Sequence, residues 1–180
     1  MRTCRASAAG KLTVVLATFV VVLAGCGAGP SPRAWAASVC GALTPWRSEI
    51  SKLTSSTDQQ MSAQTTPAQA KENLVRLFGG AEQASETARR NIERAGVPET
   101  DNGEEISAGF RSSLSKMRDA YGRARETIEG LNTGQATAFY DGVRAAVETL
   151  NKEYDASALD TSRLNSEELK QAFDEVPECR

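Results

Sequence analysis

The chain of 180 residues contains no histidine. Without imidazole there is no Ser-His or Cys-His nucleophile pair and no histidine general base. Histidine-ligated haem and the usual zinc sites also fall away. Ferritin-like di-iron bundles need a Glu-x-x-His pair, so that helical metalloenzyme is excluded as well. A basic excess is missing too: 21 lysines and arginines face 23 acids. Such a balance leaves no electrostatic footprint for nucleic acid. No stretch alternates apolar and polar residues long enough to make a strand, and no internal repeat is evident. There is no Cys-x-x-Cys, the spacing of redox and many metal motifs. Nothing singles out two of the 23 carboxylates for glycosidase chemistry. These gaps predict an all-α protein with no catalytic residue, no cofactor and no metal.

What is present begins with the N-terminus. Arg2, Arg5 and Lys11 form a positive start with no acid among them. An apolar stretch follows from Leu12 to Leu23, too short for an ordinary spanning helix of about 20 residues. It matches the apolar region of a secretion signal, with small residues just before a cut. The next four residues, Leu23-Ala24-Gly25-Cys26, resemble the lipobox of bacterial lipoproteins. The resemblance implies removal of residues 1–25 and diacylglycerol on the Cys26 thiol. Two acyl chains anchor stably where one does not, so residues 26–31 are expected to be a lipidated cysteine and short tether. The mature chain of 155 residues would carry a net charge of −5. It suits one helical domain over residues 32–180, at the extracytoplasmic face of the cell membrane.

Cys4 leaves with the signal and Cys26 takes the lipid, which leaves Cys40 and Cys179. An even pair in an exported protein reads as a disulfide. The bond would close nearly the whole domain into one loop.

Helical periodicity runs through the rest. Ser31-Pro32 is a helix start, followed by an apolar stripe at Trp35, Val39, Leu43, Trp46, Ile50 and Leu53. Pro45 within it predicts a kink or a re-start capped by Thr44, and residues 54–66 read as a loop. Thr66-Pro67 opens a second helix with an alanine-rich face from Ala70 to Ala95, where Gly79-Gly80 suggests a bend. The third stripe is Ile106, Phe110, Leu114, Met117, Tyr121, Ala124, Ile128 and Leu131. The fourth is Phe139, Val143, Ala146, Val147, Leu150 and Tyr154, and a short last helix spans about Ser166–Glu175. Gly109, Gly122 and Gly142 inside these helices suggest close helix contact. Four amphipathic stripes and a short fifth predict an antiparallel four-helix bundle with a C-terminal helix, closed by one disulfide.

Three groups of side chains are candidates for recognition. Trp35 and Trp46 share one helical face and are either core or the lining of a ligand pocket, with Trp35 also placed to meet a membrane interface. Glu99, Asp101, Glu104 and Glu105 form an acidic turn without the ligand spacing of an EF-hand, and their place at a helix N-terminus suits the dipole. Arg89, Arg90 and Arg94, and separately Arg118, Arg123 and Arg125, form basic patches on two helices. Glu86 with Arg90, four residues on, has the favourable order for a helix pair.

Trp35-x-x-x-Val39-Cys40-Gly41-Ala42-Leu43-x-Pro45-Trp46 and Leu169-x-x-Ala172-Phe173 with Pro177-x-Cys179 resemble a group of small actinobacterial lipoproteins. An arginine-to-lysine ratio of 15 to 6 fits a high-GC genome. The group has no assigned activity, so the resemblance implies a helical, disulfide-closed domain and no mechanism. The expected role is a non-enzymatic interaction module of the cell envelope, held to the membrane through Cys26 and binding an unknown envelope protein. A small-ligand or lipid carrier with a pocket between helices, using the tryptophans and Phe139 or Tyr140, is the alternative. A carboxylate-dependent hydrolase is a distant third.

Overall fold

The computed structural model describes residues 29–157 and 164–180, and the signal segment with Cys26 lies outside them. Five helices follow in order: α1 (Pro32–Gln60), α2 (Pro67–Ala95), α3 (Gly103–Glu129), α4 (Ala136–Ser157) and α5 (Glu167–Glu175). A 3-10 turn, Pro177–Cys179, ends the chain. The described residues contain no strand.

The helix starts are built from the residues that local chemistry favours. The Ser31 hydroxyl accepts the Ala34 N–H ahead of Pro32. Thr66 and Gln69 form a reciprocal capping box. Ser166 caps α5 by accepting the Leu169 N–H. Gly96 ends α2 at φ 76°, a left-handed conformation that costs glycine nothing.

Short loops force neighbouring helices to run antiparallel, and cross-helix bonds show it. The Trp35 indole N–H donates to the Gly96 carbonyl, joining the start of α1 to the end of α2. Lys71, at the start of α2, donates to the Leu131 carbonyl after α3. α2 packs against both α1 and α3, α4 lies on α3, and α5 lies on α1. Two apolar layers result. One joins Trp35, Val39, Leu43 and Trp46 to Ala88, Ile92, Ile106, Phe110, Leu114 and Leu169. The other joins Phe78 and Ala81 to Ala120, Tyr121, Ala124 and Ile128, with Ala146 and Leu150 from α4. Cys40 and Cys179 are bonded, with Cα atoms 5.0 Å apart. The expected bundle, short helix and disulfide are all present.

Several local expectations are corrected. α1 does not stop before residue 54 but continues to Gln60, because Thr57 turns inward and is buried and the Gln60 carbonyl accepts bonds from Thr65 and Asn73. Pro45 neither ends nor restarts the helix. Its missing N–H deprives only the Gly41 carbonyl, and both residues lie on the exposed side. Thr44 is no cap; its hydroxyl donates to the Glu178 carbonyl. Gly79-Gly80 lies within an unbroken α2. A Cβ at Gly80 would come within 2.8 Å of the Leu53 side chain, and one at Gly79 within 3.3 Å of Arg125. The pair admits close neighbours. Close contact also explains Gly122, beside Glu82, and Gly142, beside Leu131, but Gly109 faces open space. The Pro30 carbonyl accepts the Glu99 N–H, so Pro30 already belongs to the fold.

Candidate functional site

Trp35 and Trp46 share a helical face and have different fates. Trp35 is wholly enclosed. It meets Phe110 edge-on at 5.3 Å and Phe173 edge-on at 6.1 Å, with its N–H satisfied by Gly96. Among the described residues it lines no pocket, and it is not free to meet a membrane interface. Trp46 is buried but borders a groove. Its N–H donates to the Ser85 hydroxyl at 3.0 Å, and Ser85 in turn donates to the Ala81 carbonyl. That chain fixes the indole plane and leaves no unpaired polar atom behind it.

The groove beside Trp46 lies between α1 and α2 and encloses about 340 Å³. Pro45, Ala84, Ala88 and Gly80 make its walls low, because none carries a side chain longer than a ring or a methyl. Glu49, Gln83, Thr87 and Asn91 supply polar atoms around it. An apolar floor with a few polar groups is the usual composition of a small-molecule site. Phe139 and Tyr140, the other expected pocket residues, are not part of it. They sit on α4, Phe139 buried and Tyr140 exposed, 5.0 Å apart edge to face. Periodicity contained a signal for Ser85 that reading only apolar positions missed: it falls between Ala81 and Ala88 on the alanine face.

The arginines do not form free basic patches. Glu86 on α2 receives Arg89 at 2.9 Å, Arg90 at 2.8 Å and, from α3, Arg118 at 2.9 Å. Arg89 also reaches Glu93, and Arg118 also reaches Asp119. Arg125 pairs with Glu82 across the same interface, and Arg123 pairs with Glu153 of α4. Arg94 donates to the Asn91 amide. The Arg89 guanidinium, opposed by partial burial and reinforced by Arg118 and Arg90, holds the Glu86 carboxyl far below the ordinary carboxylate range. These charges stitch α2, α3 and α4 together and leave little over for an anionic partner.

The acidic turn sits at the end of the bundle where Pro30 enters. Glu99 and Asp101 share a shallow cleft with Glu167 and Glu168, and Glu104 and Glu105 occupy the first turn of α3. Among the described residues no group of three metal-ligating side chains is placed to hold an ion. Burial, with the nearby Tyr154 adding, pushes the Tyr121 hydroxyl up to about 12. It therefore stays a phenol at neutral pH and offers no base. No helix among the described residues is long and apolar enough to cross a membrane. No family model, no curated protein and no solved structure matches the chain.

Proposed function

We propose that the protein is a lipid-anchored extracytoplasmic lipoprotein whose helical domain binds an envelope protein close to the membrane and catalyses no reaction. The observation that carries this reading is the bond between Pro30 and Glu99. It fixes the chain only four residues after Cys26, so a lipidated Cys26 would hold that end of the bundle within about 14 Å of its acyl chains. A rigid, cross-braced bundle on so short a lead suits a docking module. The composition supports the same reading, since a histidine-free chain lacks the common catalytic pairs. The test is Cys26→Ala. Wild-type protein should take up labelled palmitate and sediment with membranes, and the variant should do neither. Cross-linking in cells should then recover a specific envelope protein with the wild type alone. A wild-type chain that stays unlabelled and soluble would sink the reading.

A second reading, a small-ligand carrier, is favoured by the Trp46 groove. Native mass spectrometry of protein from its host would show a bound small molecule, lost on Ala84→Trp, which fills the groove.

A further inference from the structure

The C-terminal residues 164–180 differ from the rest of the bundle in how they are held. α2, α3 and α4 are joined by guanidinium–carboxylate pairs between helices, Arg118–Glu86, Arg125–Glu82 and Arg123–Glu153. Among the described residues α5 has one such pair, Arg33–Glu175 at 3.3 Å, with both side chains about half exposed or more. Among the described residues the segment's other polar side-chain ties to the bundle are hydroxyl contacts, Thr100 to Ser166 and to Glu168, and Thr44 to the Glu178 carbonyl. What seats it is an apolar edge at Leu169, Ala172, Phe173 and Val176, spaced i, i+3, i+4, i+7, the signature of a helix lying in a groove. The groove beneath is lined by Trp35, Ala36 and Val39 of α1 and Phe110 of α3. Phe173 stacks on Phe110 at 6.0 Å and meets Trp35 edge-on. A nine-residue helix is not stable alone. The covalent tie comes at the far end, where Cys179 in the last turn is bonded to Cys40. Cys40 is almost fully buried, whereas Cys179 is partly open to solvent.

We propose that residues 164–180 form a disulfide-latched cover, and that cleavage of Cys40–Cys179 by a dithiol reductant opens it as a unit and frees the Trp35–Phe110 groove for an amphipathic helix of the cover's own kind. One thiolate of the dithiol attacks the accessible Cys179 sulfur. The sulfur–sulfur bond breaks, and its electron pair and a proton go to Cys40. The second thiolate of the reductant then attacks its own mixed disulfide and releases Cys179, which takes a proton. The protein disulfide is reduced to two thiols, and the dithiol is oxidised to a disulfide. The docking partner is defined by what the groove already holds: a helix with apolar side chains at i, i+3, i+4 and i+7, an aromatic at the third of them. This proposal does not depend on where the chain resides or on lipid at Cys26.

The test uses the full chain in detergent, oxidised and reduced, followed by amide hydrogen exchange. In the oxidised protein the α5 amides should exchange on the scale of the α2 and α3 core. After reduction they should exchange at least a hundredfold faster than that core in the same molecule. The double variant Cys40→Ser, Cys179→Ser should open the same gap without reductant. If α5 and the core lose protection in step, the bond is a staple of the whole domain and the proposal fails. If α5 keeps its protection, the bond is no latch and the proposal fails equally. Docking is read with a fluorescent peptide of residues 164–180 carrying Cys179→Ser, on a Phe173→Ala chain whose own cover seats less well. Binding should tighten at least tenfold on reduction. Equal binding in both states, or none in either, overturns the docking half.

Discussion

Glycine-to-alanine substitutions at two places in α3 should shift stability in opposite directions. Gly109 is exposed in the interior of the helix, and a Cβ there meets nothing within 4 Å. Only the intrinsic preference acts, so Gly109→Ala should stabilise by about 0.8–1 kcal/mol. Gly103 is the first residue of the same helix and is buried. A Cβ there would overlap the Pro98 carbonyl oxygen and lie 3.3 Å from the Pro98 carbonyl carbon and 3.4 Å from its ring. The overlap is with backbone, so no rotamer change relieves it. Pro98 is itself buried, and its carbonyl accepts the Thr100 N–H at 3.0 Å. Moving it strains the turn that also holds Pro30 through Glu99. Forced overpacking of this kind costs about 1–3 kcal/mol, more than the propensity gain at a helix end. At about 2–4 °C per kcal/mol for a domain of this size, Gly109→Ala should melt a few degrees higher and Gly103→Ala several degrees lower. Thermal melts followed by circular dichroism at 222 nm, with the disulfide kept oxidised, give both numbers. Equal increases in the two variants would refute the tight turn at Pro98, and with it the fixed position of Pro30.

Ser85→Ala should cost about 1–3 kcal/mol, because it leaves the buried Trp46 N–H unpaired. Adding Trp46→Phe should recover part of that loss in a double-mutant cycle by urea unfolding, and strict additivity would show that the bond is not made. Trp35→Ala should cost about 3–5 kcal/mol by opening a cavity against Phe110 and Phe173, read in the same assay, with a cost below about 1 kcal/mol contradicting its full burial. Glu86 has a folded-state pKa below its unfolded value of about 4.3. Its contribution is therefore complete above about pH 5 and lost as pH falls through the carboxylate range. Glu86→Gln should be less stable than wild type at pH 7 by about 1 kcal/mol, since Arg90 is largely exposed and solvent screens the cluster. The difference should shrink on acidification, and one that grew would reverse the sign of the argument.

The parts of the fold that were legible are those set by local chemistry. Ser31 and Thr66 announce their helices through a side-chain oxygen followed by a proline, and each does cap. The apolar stripe of α3 is buried from Ile106 to Ile128 as its spacing requires. The cysteine pair followed from assigning Cys4 and Cys26 elsewhere. What could not be read depended on partners distant in the chain. Residues 54–60 carry too few apolar side chains to show a period, and they remain helical because Thr57 is buried and the Gln60 carbonyl accepts the Asn73 amide of α2. The arginines of α2 and α3 look like surplus charge along one helix, but Arg118 meets a carboxylate 32 residues away. The two tryptophans differ because α5 covers Trp35, whereas small residues of α2 stand beside Trp46. One stripe thus gives core at one end and a groove wall at the other.

That separation along α1 bears on which occupant the groove can receive. Trp46 is fourteen residues beyond Pro32, the first residue of one continuous helix, which is about 21 Å at the helical rise. If lipid on Cys26 holds the Pro30 end at the bilayer, a bundle standing on that end presents the Trp46 groove well outside the headgroups. Tilting it down would bring more of the chain's acids toward the surface. Glu99, Asp101, Glu104, Glu105, Glu167 and Glu168 crowd the Pro30 end, and an anionic leaflet would repel such a charge within a Debye length. A lipid would have to leave the hydrocarbon and travel up the bundle to reach Trp46. A water-soluble ligand or a protein reaches the groove without that step. The Trp35–Phe110 groove under α5 lies close to the Pro30 end instead, because Trp35 is only five residues from Pro30. Under a lipidated Cys26, the covered one of the two apolar surfaces would therefore be the one that a neighbour seated in the membrane meets.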